Sequence, residues 1–447
     1  MVLLNALSVP IMLSSVNVAL PHIAADLGLS ALSVSWIPTA FLMASAMFIL
    51  VFGRLADMFG RKKIFLIGAA SVVFASILAS LATGAISLIG ARFLQGVGAA
   101  MLYATQMAIV SSVFPLATRG RVIGLVISFI YIGLASGPLF GGIIVDQIGW
   151  RINFLLQIPL AILVFCIGMY KVEGDWAADE RGLFDFAGAL IYCLAIFIIC
   201  IGASLLPSST GYLLMAAGLI GVGIFFRQAR SSNHPLLDVN LFFTNRTFTF
   251  SALASLIMYS ATFMNVVLLS LYLQYLKGLS PSVAGLIMMV QPLTMAVFSP
   301  LTGKLSDSIE PRILSSVGMF VTAIGLVLLG MLNSNSQTSN IVIALVVTGL
   351  GFSLFSSPNV NAIMSSVSKK HLGAAAAAVS TTRILGQLFS MVLITLIMAL
   401  TFGATQIEPA NYFELERTVR FSFYLAAGLC VPGLFLSAVR GTIHSGQ

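Results

Sequence analysis

Fourteen stretches of about 20 mostly apolar residues, each long enough to cross a hydrocarbon core, leave this chain of 447 residues few ways to fold. A bilayer offers the backbone no water, so a spanning segment must satisfy its own N–H and C=O groups, as a helix does. The first six stretches run at Leu3–Ile23, Val34–Phe52, Ile64–Thr83, Ile86–Val113, Val122–Val145 and Asn153–Tyr170. Two more follow at Phe186–Leu206 and Tyr212–Phe226. The last six lie at Phe248–Leu276, Ala284–Leu301, Ile313–Leu332, Ile341–Val367, Gly373–Phe402 and Phe421–Ala438. Only 8% of residues are charged, against roughly 25% in a soluble domain, so the chain cannot cover a water-facing surface. An all-α polytopic membrane protein is expected.

Lys and Arg set the orientation. With the N-terminus inside, the loops after even-numbered stretches and the tail hold 16 of the 22 basic residues, among them Arg54, Arg61, Lys62, Lys63, Lys304, Arg312 and Arg440. The opposite side holds four: Arg151, Lys277, Arg417 and Arg420. This split predicts both termini on the cytoplasmic side of a plasma membrane. It also accounts for the net charge of +8, which is therefore not read as nucleic-acid binding. The first stretch starts almost at Met1 and is expected to serve as its own insertion signal. All four cysteines fall inside apolar stretches, and no disulfide or metal framework is visible.

The charged turn Gly53-Arg-Leu-Ala-Asp57-Met-Phe-Gly60-Arg61-Lys62-Lys63 recurs in weaker form as Gly303-Lys304-Leu305-Ser306-Asp307…Arg312, 250 residues later. Gly96-Val97-Gly98 recurs as Gly349-Leu350-Gly351 at an offset of 253. Duplicated halves are one of the ways in which transporters are built. The expected division is a six-helix bundle over 1–171, a linker with two inserted helices over 172–246, and a second six-helix bundle over 247–447. The linker segment Arg227–Thr247 has the mixed character of an amphipathic stretch at the membrane surface.

Gly53–Lys63 closely resembles the signature between helices 2 and 3 of the major facilitator superfamily. Arg92-Phe-Leu-Gln95-Gly96-Val-Gly98 resembles the family's basic motif in helix 4. Gly133-Leu-Ala-Ser-Gly137-Pro138-Leu-Phe-Gly141-Gly142 matches the helix 5 signature of exporters, and Trp150-Arg151…Phe154…Pro159 resembles the start of helix 6 in the 14-helix drug:proton antiporters. For Gly53, Asp57, Gly60, Arg61 and Asp307 the resemblance favours a cytoplasmic gate latch over the other reading of the turn, a topology anchor alone. It also implies that Gly133, Gly137, Pro138, Gly141 and Gly142 form a tight, bendable seam between halves, small residues allowing close helix contact and proline removing a hydrogen bond. One departure stands out: where antiporters of this branch carry an Asp early in helix 1, before the pattern Asn17-Val-Ala-Leu-Pro21, this chain has Met12.

A charge within a span needs water or a partner. Arg92 sits about six residues into its stretch, roughly 9 Å deep, and Asp26 or Asp146 on the same side is the expected partner. With no Asp or Glu near the middle of any stretch, these three residues are the candidates for proton coupling. A substrate cavity is expected to draw on Asn17, Trp36, Gln106, Tyr131, Asn265, Gln291, Asn361, Arg383 and Gln387, amid adaptable Met- and Phe-rich surface.

The function implied is proton-coupled efflux of amphipathic small molecules from a bacterial-type cell by alternating access, driven by the proton gradient with no other cofactor. A dedicated exporter of one metabolite, lipid or peptide, or an uncoupled facilitator, is the alternative. An enzyme is not expected, because the four histidines are scattered and no nucleotide loop appears. The partners are then small amphipathic substrates, protons and lipid.

Overall fold

The computed structural model describes residues 1–114, 116–172, 174–175, 183–232, 235–237, 239–306, 308–368 and 372–441. Among them, fourteen helices are long and apolar enough to cross a membrane. They are α1 (Val2–Leu27), α2 (Ala31–Phe59), α3 (Arg61–Ser80), α4 (Ala85–Val110), α5 (Val122–Gln147), α6 (Trp150–Lys171), α7 (Phe186–Ser204) and α8 (Ser209–Ser231). After the inserted pair come α9 (Arg246–Leu276), α10 (Pro281–Leu305), α11 (Pro311–Gly330), α12 (Thr338–Ser365), α13 (Ala375–Thr401) and α14 (Pro409–Val439).

Local chemistry sets several boundaries. Ser30, Asp185, Ser208, Asn245 and Ser280 each accept a hydrogen bond from a backbone N–H in the first turn of α2, α7, α8, α9 and α10, satisfying donors that a helix start leaves free. Gly60 alone links α2 to α3, with φ at 107°, a conformation that strains any residue with a side chain. Helix α6 begins at Trp150, three residues before the expected start, because Gly149 turns the chain there and polar Asn153 is buried inside the bundle. Within the second linker, Val239–Thr244 forms a six-residue helix with Val239 buried; Asn233, His234 and Asp238 of that linker lie outside the described residues.

The packing repeats itself. Helix α1 lies against α5, α2 against α4, and α3 against α4 and α6. Eight spans later α9 lies against α13, α10 against α12, and α11 against α12 and α14. Helices α7 and α8 pack mainly on each other, with α7 touching α2 and α13. The most apolar window of α2 is 83% buried and that of α8 only 17%, so the inserted pair is peripheral. Large apolar side chains such as Phe74, Leu213 and Phe320 stand exposed on the outer helices, as lipid contact requires.

Candidate functional site

The fourteen spans among the described residues put Met1 and Arg440 on one face, the termini face, which also carries the Gly53–Lys63 turn. Between the two sets of six helices lies a cavity of about 1460 Å³ of empty space, its mouth included. Pro10 and Ser14 of α1, Tyr103 of α4, and Tyr131 and Pro138 of α5 form one wall; Asn265, Gln291, Phe352, Arg383 and Gln387 stand on the other. The walls run to Met107, Ile123, Met364 and Ala376, each near the termini-face end of its helix. The cavity therefore approaches the termini face and stops short of the far face.

The far face is closed by contacts between the halves. A Cβ on Gly142 would fall 2.9 Å from the Pro281 carbonyl carbon, and one on Gly285 2.9 Å from that of Pro138, so α5 and α10 meet backbone to backbone. The Ser282 hydroxyl donates to Asp146 at 2.6 Å across the same contact. The Thr395 hydroxyl of α13 lies 3.2 Å from both Ser35 and Thr39 of α2. Gln274 donates to the Val18 carbonyl at 2.9 Å, and Gln406 to that of Gly28 at 3.0 Å. On the cavity wall itself, Tyr131 and Ser356 join the halves at 2.7 Å.

Five of the expected cavity residues reach this wall: Tyr131, Asn265, Gln291, Arg383 and Gln387. The other four lie elsewhere. Asn17 turns back to donate to the Leu13 carbonyl at 2.8 Å, and Gln106 accepts from Asn5 at 2.6 Å inside the first half. Asn361 donates to Ser306 at 3.1 Å, and Trp36 packs against the apolar core. Arg383 lies over the Tyr103 ring, 5.3 Å from its centre. The Asn265 amide donates to Gln291 at 3.2 Å, while its own oxygen is buried with no partner.

Arg92 does not meet either expected acid. It is fully buried among α2, α3 and α4, donating to Gln95 at 2.8 Å and to the Ile37 carbonyl at 3.3 Å, above the Phe41 ring. Gln95 passes the chain on to Ser76 at 2.8 Å. Asp26 instead accepts from Arg151 at 2.7 Å and from the Trp150 indole at 3.0 Å, pinning α1 to α6. Asp146 faces Ser282. The reason is position: both acids sit at helix ends on the far face, whereas the side chain of Arg92 turns into the bundle. Met12 is fully buried too, beside a small apolar void lined in part by Asn5 and Ser8.

Among the described residues, the charged turn bonds to the first bundle and to the linker that follows it, and not to the second bundle. Asp57 and Arg61 form an ion pair at 2.8 Å across Gly60, and Arg61 reaches on to the Ala108 carbonyl of α4 and the Ser112 hydroxyl just beyond it. Lys62 donates through its backbone to Asp175 and through its ammonium to the Val172 carbonyl at 2.6 Å. A Cβ at Gly53 would meet nothing within 4 Å, so no close approach occurs there. Asp307 lies outside the described residues. In α5, Gly133, Gly137 and Gly141 face α1 within the first half, and Gly142 with Pro138 faces α10. The seam between halves therefore involves two of the five expected residues.

Sequence reading missed Arg440, which it assigned to the tail. The side chain is 1% exposed and donates to Asn359 at 2.6 Å and to Ser251 and Ser315 at 3.2 Å. It ties together α9, α11 and α12 at the end of α14. Burial lowers its pKa to about 10, so it stays charged at neutral pH. Its place directly after an apolar stretch was the one available signal. Among the described residues, no group of three His, Cys, Asp or Glu is placed to hold a metal.

Similarity to known proteins completes the assignment. The chain is 29% identical over 424 residues to the riboflavin transporter RibZ of Clostridioides difficile (strain 630), covering 95% of this chain and 92% of that protein. It is 29% identical over 411 residues to the multidrug resistance protein Stp of Mycobacterium tuberculosis (strain CDC 1551 / Oshkosh), covering 90% and 75%. A crystal structure of a POT family transporter with a thioalcohol-conjugated peptide superimposes with a TM-score of 0.71 at 16% identity, covering 97% of this chain and 95% of that one, which speaks to the fold alone. The family pattern matches residues 2–226 and 251–443. On that match, this chain belongs to the Major Facilitator Superfamily and is a membrane-spanning transporter.

Proposed function

We propose that the protein exports amphipathic small molecules across the plasma membrane in exchange for protons, by alternating access, with both termini in the cytoplasm. The observation that carries this reading is the cavity between the halves, which extends toward the termini face while α5–α10 and α2–α13 contacts close the far face. With the basic loops inside, this is the inward-facing state, ready to take substrate from the cytoplasm or inner leaflet. Rocking of the halves would then open the far side around the same cavity. The relatedness to a multidrug resistance protein supports drug-like substrates.

Coupling is assigned to three residues. Asp146 is the acid placed on the seam: proton binding there alters its bond with Ser282 and so the balance between far-face-closed and far-face-open states. Arg92 supplies a fixed buried charge, and Asp26 holds α1 to α6 on the far face. A dedicated exporter of a single metabolite is the second reading, favoured by the relatedness to a riboflavin transporter and by Met12 at the position of the usual helix 1 acid. The deciding experiment is pH-gradient-driven transport in liposomes with Arg92→Ala, Asp146→Asn and Asp26→Asn made singly. Arg92→Ala and Asp146→Asn should each impair uphill transport while membrane insertion is retained. Full activity in both, or transport indifferent to collapse of the gradient, removes the coupling assignment.

A further inference from the structure

We infer that the cavity selects planar aromatic anions and discriminates against lipophilic cations, with Arg383 as the residue that sets the sign. The inference rests on reading the cavity as the transport site and names the substrate class it admits.

Charge is the first argument. Arg383 is the one Lys or Arg on the cavity wall, and no Asp or Glu lines it among the described residues. Its guanidinium has a ring contact with Tyr103 and no ion-pair partner among the described residues. A cation in such a site is stabilised by an arriving negative charge, with which it can form paired, charge-assisted hydrogen bonds. An arriving cation would find ring faces but no carboxylate, and would bring like charges together in a medium of low dielectric.

Shape is the second argument. Tyr131 and Tyr259 both pack edge-on against Phe352, with ring centres 6.5 and 5.4 Å apart and planes at 89° and 73°. The rings come from both halves and line the cavity, so a flat aromatic guest can lie against them in stacked or edge-to-face contact. The third argument is an unmet acceptor. Asn265 is 1% exposed, lines the cavity, and its carbonyl oxygen has no hydrogen-bond partner. A buried acceptor left alone is costly, and a guest N–H or O–H would meet it beside Gln291.

The test uses two xanthene dyes with the same ring system and opposite charge, fluorescein and a rhodamine ester, binding to the purified full chain in detergent, read by fluorescence anisotropy. Wild type should bind fluorescein at least about tenfold more tightly than the rhodamine ester, tenfold corresponding to roughly 1.4 kcal/mol. Arg383→Gln should abolish that ratio, Arg383→Glu should invert it, and Arg383→Lys should keep its sign, which separates lost charge from lost folding. Equal or tighter binding of the rhodamine ester by wild type, a ratio unmoved in Arg383→Gln, or no binding of either dye overturns the inference. No gradient is needed, so the two readings fail separately. Intact dye preference in a protein that moves neither dye across liposomes sinks the export reading and leaves the selectivity standing.

Discussion

The backbone contact between α5 and α10 gives the most exacting prediction, because one methyl group placed there acts on a conformational equilibrium. In Gly142→Ala the new Cβ would lie 2.9 Å from the Pro281 carbonyl carbon and 3.2 Å from the Ser282 Cα, where ordinary contact begins near 3.4 Å. The helices must part by at least half an ångström, and neither backbone can swing aside as a flexible side chain would. Overpacking of this sort costs about 1–3 kcal/mol, and the cost falls only on the state in which the far face is closed. The closed population should therefore drop relative to the open one by roughly 5- to 150-fold, at 1.4 kcal/mol per tenfold. Spin labels at Gln147 and Ser280, in a background with the four cysteines replaced, report the separation of the far-face ends of the two helices. The distance distribution should move to longer values in Gly142→Ala. It should stay put in Gly124→Ala, where the added methyl on the same helix meets nothing within 4 Å. Gly285→Ala strains the same contact from the other side, so the double variant should show less than the sum of the two effects. An unchanged distribution in Gly142→Ala, with export also unchanged, would refute the idea that this contact seals the far face.

Two further outcomes follow from charges that the helices hold. Arg440→Met leaves the Asn359 carbonyl oxygen buried without its donor, at a cost of about 1–3 kcal/mol; thermal unfolding in detergent should show the loss, and an unchanged midpoint would mean that Arg440 adds nothing to the second half. Asp57→Asn breaks a partly exposed ion pair with Arg61, worth up to about 1 kcal/mol in stability. It should leave the melting point nearly in place while slowing export, and wild-type export rates would reduce the turn to a topology anchor.

The features legible in the sequence are those that local composition writes down. Each spanning helix is a run of apolar residues read along one chain, and the repeat of the charged turn needs no partner to be seen. The rotation of each helix about its axis was not legible. Tyr103 and Gln106 sit one turn apart in α4, yet Tyr103 faces the cavity and Gln106 faces Asn5 of α1. Arg92 and Arg383 are both single charges in apolar stretches; the first turns into its own bundle and the second toward the other half. Spacing alone cannot separate the two, because the facing surface is decided by helices far away in sequence. Arg440 escaped for the same reason: its burial depends on Ser251, Ser315 and Asn359, which come together only in the folded chain.

The inserted pair has a mechanical meaning. Its polar anchors run to α2, where Tyr192 donates to the Ala46 carbonyl at 2.8 Å and the Cys193 thiol to that of Met47 at 3.2 Å. The linker ahead of it is held by Lys62, through the Val172 carbonyl and Asp175. Against α13 the same pair makes packing contact only, with no anchoring bond among those described. In the alternating-access cycle proposed above, slippage would be cheapest between α7 and α13, and α7 and α8 would travel with the first bundle as ballast. Counted by chain order the molecule is six, two and six; counted by its polar anchors it is eight and six. The flank bearing the pair is shielded from lipid along the α2–α13 seam. The α5–α10 flank presents Phe140, Val283 and Leu286 directly to lipid.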